Sequence, residues 1–153
     1  MNITDFLRPT SIISNLQGRS KVDIVAELAS SIALSYPKLN RDKVIHILME
    51  REKLGSTGIE NGVAIPHGKM SEIDKIVIAF GRSISGIEFD AQDSKPSHLF
   101  FVLLAPEDAA GEHLKVLARL SKILKEDSFR ESLLKAESEE EIYKLITDSD
   151  KEF

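Results

Sequence analysis

The run LFFVLL, residues 99–104, is apolar at every position. A strand with one wet face alternates apolar and polar side chains, so an unbroken run reads as a central strand covered on both faces. Upstream, KIVIAF (75–80) is β-rich and supplies a second strand. The polar stretch between them contains GIEFDAQD (86–93), where a short edge strand is expected. Ser11 to Leu16 forms another short apolar element, ending at Gly18, and Val63 to Ile65 a further one.

Helical patterns flank these strands. Ser20 opens a helix with Asp23 in a weak capping box, and Ile24, Val25, Leu28, Ala29 and Ile32 recur at helical spacing as far as Tyr36-Pro37. Asn40 caps a second helix whose apolar stripe is read as Val44, Ile47, Leu48 and Leu54, with Gly55 in the position after its end. Downstream, Leu114, Leu117, Leu120 and Leu124 predict a third, widened by Val116 and Ile123. Asp127 and Ser138 are expected caps for two last helices, over Phe129–Leu134 and Glu139–Ile146, before a loose SDKEF tail. This order predicts an α/β fold in which helices cover both faces of a small mixed sheet.

The whole-chain composition is that of one globular domain: 153 residues, 42% hydrophobic and 29% charged. A chain of this length buries roughly 70% of its unfolded surface and needs no covalent staples. It has no cysteine, which excludes disulfides, thiolate zinc sites and a cysteine nucleophile. The net charge of −5, with Lys and Arg scattered among Asp and Glu, argues against nucleic-acid binding. The N-terminus MNITDFLRPTSII is no secretory signal, and the longest apolar stretch, Leu99 to Ala105, is far short of the roughly 20 residues that span a bilayer. A cytoplasmic protein, not embedded in a membrane, is expected.

Four histidines could carry chemistry. His46, between Ile45 and Ile47, reads as a surface or boundary residue, and His98 as the polar start of a strand. His67 stands between Pro66 and Gly68, after a glycine-rich loop containing Ser56, Thr57 and Asn61. Hydroxyl, amide and backbone donors of that kind hold phosphate oxygens. A histidine that merely caps a strand fits these residue types equally well. His113 begins the third helix and shares a face with Val116, Leu117 and Leu120, so it points inward; an anion site at the helix start and a buried, hydrogen-bonded histidine are both open. Arg51 lies in the last turn of the second helix, either as a cation favourable there by about 0.3–1 kcal/mol or as one reaching past the helix end to a site. There is no HExxH, no Walker A pattern and no acidic cluster beside His67, so no metal is expected.

The segment REKLGSTGIENGVAIPHGK, Arg51 to Lys69, resembles the phosphorylation-site signature of the fructose/mannitol class (type 2) of EIIA domains of the bacterial phosphotransferase system. More closely it is similar to the stand-alone, nitrogen-regulatory IIA proteins. FDAQDSKPSHLFFVLLAPED, EHLKVLARLSKIL and SEEEIYKLIT agree, so the likeness spans nearly the whole chain: one EIIA domain over 1–153, with its core at roughly 3–148. The resemblance implies an α/β/α sandwich with a mixed, about five-stranded sheet. It also implies phosphorylation of His67 by the phosphocarrier HPr or its paralogue. His113 matches the family's second active-site histidine, Arg51 its active-site arginine, and Ser56 and Thr57 the loop expected to neutralise phosphate oxygens. No cofactor or metal is implied, because the phosphate is carried covalently on His67. Glu60 departs from the pattern, where a small residue is commoner, and is expected to face solvent.

Three functions follow as expectations: a regulator whose phosphorylation state selects its protein targets, a IIA component passing phosphate to a separate IIB cysteine in sugar uptake, and a binding module without transfer. The absence of an attached IIB or IIC segment is read in favour of the first. A homodimer is left open.

Overall fold

The computed structural model describes residues 2–151; Met1, Glu152 and Phe153 of the expected 1–153 domain lie outside them. After a 3-10 turn at Ile3–Asp5, the order is β1 (Leu7–Ile13), α1 (Lys21–Ser35), α2 (Arg41–Lys53), β2 (Val63–Ala64), β3 (His67–Lys69), β4 (Val77–Ile87), β5 (Ser97–Ala105), α3 (Ala110–Ile123), α4 (Asp127–Lys135) and α5 (Glu139–Lys151). The five-stranded sheet runs β1-β4-β5-β2, and β3 also pairs with β5. β4 and β5 are antiparallel, whereas β1 joins β4, and β2 and β3 join β5, in parallel.

β5 is the central strand that its apolar run implies. Phe101, Leu103 and Ala105 face one core with Val116 and Leu120 of α3, Leu133 of α4 and Ile142 of α5. Phe100, Val102 and Leu104 face the other, with Ile24 and Leu28 of α1 and Val44 and Leu48 of α2. The sheet is therefore the middle layer of an α/β/α sandwich. Among the described residues no helix is long and apolar enough to cross a membrane.

Three of the four expected caps form. The Ser20 side chain accepts from the Asp23 N–H, Asn40 from Lys43 and Ser138 from Glu141. Asp127 does not cap. α4 begins at Asp127 itself, with Glu126 in the cap position, because the Asp127 carboxylate pairs with Arg130.

Other differences trace to tertiary pairing. β1 starts at Leu7 rather than Ser11, since an edge strand needs only its backbone paired on one side and tolerates the exposed Arg8-Pro9-Thr10. β4 runs on through GRSISGI, held by pairing of Arg82 with Leu99 and Ile87 with Ser97. No separate strand forms beyond it in GIEFDAQD; Phe89 is instead buried from a coil. Leu54 and Leu114, read as stripe residues, are 85% and 68% exposed. Ser149–Lys151 of the expected loose tail belong to α5, where Asp150 is buried against Arg119 at 2.6 Å.

Candidate active site

Between α2 and β3 the chain makes a tight excursion. Asn61 and Gly62 both have positive φ, 64° and 75°, which turns the chain back so that Ile59 N–H bonds the Val63 carbonyl and Ile65 N–H the Thr57 carbonyl. The returning strand then lies along β5. His67 is thus not in a loop: it opens β3, in register with Leu103. Its backbone is anchored to the centre of the sheet while its side chain stays half-exposed.

Gly68 explains how a helix reaches this point. A Cβ there would come within 2.6 Å of Ile47 Cγ2, so only glycine lets α2 lie so close to β3. Arg51 is one helical turn beyond Ile47, on the same face, and is delivered beside His67. From the other side, β5 ends next to Lys69 at Ala105, and the chain turns through Pro106–Ala109 into α3. That turn brings His113, in the first helical turn, to His67 with ring centroids 5.6 Å apart and planes at 76°.

The result is an open depression of about 500 Å³ lined by His67, Gly68 and Lys69 of β3, His113 of α3, Ile47, Glu50 and Arg51 of α2, and Leu54 at its end. A larger hollow of about 680 Å³, between residues 15–19 and 84–87, has no histidine among its lining residues.

The Nδ1–H of His67 donates to the Ile65 carbonyl at 2.8 Å. In the neutral ring this leaves the lone pair on Nε2. Burial first of all holds the His67 pKa below its ordinary value; the Ile65 carbonyl opposes this, the Arg51 charge adds to it and the Glu52 charge opposes it. His113 is only 7% exposed. Its pKa is lowered too, by burial and then by the positive charge of His67 and of Lys69. Both rings are therefore neutral near pH 7. His113 Nε2 is buried with no hydrogen-bond partner among the described residues. A buried polar atom of this kind costs about 1–3 kcal/mol until something satisfies it.

Arg51 Nη1 donates to the Gly55 carbonyl at 2.8 Å, so the same guanidinium closes the helix end and lines the depression. Ser56 and Thr57 do not join the depression. Ser56 Oγ donates to the Phe89 carbonyl at 2.7 Å, and Thr57 is buried with its hydroxyl on Glu52. Glu60 faces solvent, as expected, and His46 is exposed. His98 is held by a 3.0 Å contact between Nδ1 and the Ser83 carbonyl. Two charged residues near the site escape a reading by residue type. Lys69 follows His67 by two on a strand, a spacing that puts both on one side of it and could have revealed it. Glu52 is buried to 2% side-chain exposure beside Lys21, and nothing local predicts that. Among the described residues no group of three or more His, Cys, Asp and Glu could hold a metal ion.

The chain is similar to known proteins over nearly its whole length. The family model described as "Phosphoenolpyruvate-dependent sugar phosphotransferase system, EIIA 2" matches residues 5–149. A nitrogen regulatory protein of Bradyrhizobium diazoefficiens is 38% identical over 146 residues, 95% of each chain. The fructose-specific EIIABC component of Bacillus subtilis is 36% identical over 151 residues, covering 99% of this chain and 24% of its own. The crystal structure of nitrogen regulatory protein IIA-Ntr from Neisseria meningitidis superposes with a TM-score of 0.87 at 39% identity, over 94% of this chain and 98% of that one.

Proposed function

This chain belongs to the EIIA 2 family of the phosphoenolpyruvate-dependent sugar phosphotransferase system, and on that premise we propose that His67 Nε2 is the atom that takes the phosphoryl group. The observation that carries the reading is the pairing of two neutral imidazoles: one whose Ile65 bond leaves its lone pair on Nε2, the other with a buried ring nitrogen lacking a partner among the described residues.

In the step proposed, the lone pair of His67 Nε2 attacks phosphorus in line as the bond from phosphorus to the donor's histidine nitrogen breaks. The electron pair of that bond returns to the donor ring, and Nδ1 of His67 keeps its proton. Such transfers depend on positioning and on charge stabilisation more than on covalent elaboration. His113, with its proton on Nε2, donates to a phosphoryl oxygen and satisfies its orphaned atom. Arg51 and Lys69, which both line the depression, supply positive charge. Ser56 and Thr57 support the loop's shape, since their hydroxyls already serve Phe89 and Glu52. The exposed Leu54 beside this site, and Leu114 next to His113 in the chain, give an incoming carrier apolar surface to dock against.

The donor is an HPr-type carrier, or its paralogue, and the output is regulatory: the phosphorylated and free forms select different protein partners. Likeness to a nitrogen regulatory protein over 95% of both chains supports this output. The Bacillus similarity favours a second reading, in which a IIB cysteine takes the phosphoryl group from His67. Affinity capture from a lysate with both forms separates them. Different partner sets are expected; identical sets, together with rapid transfer to a purified IIB protein, would replace regulation with sugar uptake.

A further inference from the structure

A buried carboxylate is expensive unless hydrogen bonds and countercharge compensate it. Glu52, in the last turn of α2, has no such need met by solvent. It takes two donors from one residue instead: the Thr57 N–H, 3.2 and 3.1 Å from its two oxygens, and the Thr57 hydroxyl. Lys21 of α1 stands 3.4 Å from Oε2, and its ammonium in turn lies 3.1 Å from Asp90 of the segment after β4.

From Thr57 the bonding continues towards the reacting ring. The Thr57 carbonyl accepts the Ile65 N–H at 3.1 Å, and the Ile65 carbonyl accepts Nδ1–H of His67 at 2.8 Å. We infer that Glu52 is a positioning residue for His67, acting through Thr57 and Ile65 to hold the carbonyl that fixes the His67 tautomer. The inference rests on His67 as the phosphoryl acceptor.

The choice of residue follows from donor counts. Both groups that Thr57 presents are donors, and an ionised carboxylate is acceptor-only with room for both. Glutamine would keep Oε1, which both Thr57 donors reach, but would turn an NH₂ in place of Oε2 towards the Thr57 N–H and the Lys21 ammonium. Burial shields these bonds from competing water, so one lost acceptor is felt along the chain of bonds. The neighbouring pair Arg51 and Glu52 fastens both sides of the turn, Arg51 at the Gly55 carbonyl and Glu52 at Thr57. If the Ile65 carbonyl shifts, the neutral His67 ring is free to place its proton on Nε2. In that tautomer the attacking nitrogen has no lone pair. Because Glu52 touches neither the phosphoryl group nor the donor, its effect is read in the fraction of competent ring.

Nitrogen-15 NMR of the His67 ring at neutral pH reads the tautomer directly and needs no phosphorylation. The wild-type chain is expected mainly as the Nδ1–H form. Glu52→Gln should raise the Nε2–H form and slow labelling by phospho-HPr about tenfold, while Thr57→Ser, which keeps both donors, should retain wild-type values. Should Glu52→Gln not fold, Thr57→Val, which deletes only the hydroxyl bond, carries the test by the same readouts. A folded Glu52→Gln or Thr57→Val chain with the wild-type tautomer overturns the inference. Failure of the wild-type chain to be labelled at His67 would instead strike the functional reading, and the tautomer comparison would still stand.

Discussion

Arg51 has two duties that pull on one guanidinium: it closes the end of α2 on the Gly55 carbonyl and lines the His67 depression. Its charge also helps to keep His67 unprotonated. Removing it should therefore slow phosphorylation without preventing it, since burial is the larger influence on His67 and remains. Arg51→Ala is expected to lower the labelling rate roughly tenfold, about 1.4 kcal/mol in the barrier. Stopped-flow or quench-flow labelling with phospho-HPr checks this, and an unchanged rate would leave Arg51 as a helix-end cation only. His67, His113 and Arg51 were readable as candidates because proline, glycine and helix position surround them with recognisable context. Glu52 was not: a glutamate near a helix end normally reads as a solvated charge, and only the packing of α1 and the 55–57 turn buries it.

β4 shows the same limit one level up. The apolar KIVIAF was legible as a strand, but its continuation through Gly81-Arg82-Ser83 depends on β5 as pairing partner. Arg82 is 5% exposed within it. Its Nη1 donates to the Leu133 and Ala136 carbonyls at 2.9 and 2.6 Å, and its Nε to the Ser14 carbonyl at 2.9 Å. The cation thus caps the negative end of α4 from a different element, which fits the direction of the helix dipole. Arg82→Met should strand those carbonyls and cost roughly 3 kcal/mol, seen as a fall of about 6–12 °C in the thermal midpoint. A loss below about 0.5 kcal/mol would mean that water replaces the guanidinium without penalty. Caps at Ser20, Asn40 and Ser138 were legible because they are local bonds, whereas the Asp127 side chain was drawn off by Arg130.

For the molecule as a whole, the unbroken LFFVLL run and the helical patterns around it were enough to place a sheet between helices, and the arrangement follows that reading. Two neutral histidines built into this frame have a global consequence. In the unfolded chain each protonates near pH 6.5, while in the folded chain both pKa values lie lower. Between those values the unfolded state binds more protons, so stability is complete above about pH 6.5 and is lost as pH falls through the folded pKa values. Urea unfolding midpoints should decline from about pH 7 downward, before the carboxylates titrate, and His113→Gln should flatten that decline. A flat profile there would contradict the neutral, buried state of the pair. The central claim concerns the same pair, that His67 accepts the phosphoryl group and His113 does not. Incubation with phosphoenolpyruvate, Enzyme I and HPr, followed by mass spectrometry of the intact chain, tests it most directly. One added phosphoryl group is predicted for the wild-type chain and none for a folded His67→Ala chain; full labelling of His67→Ala would contradict it.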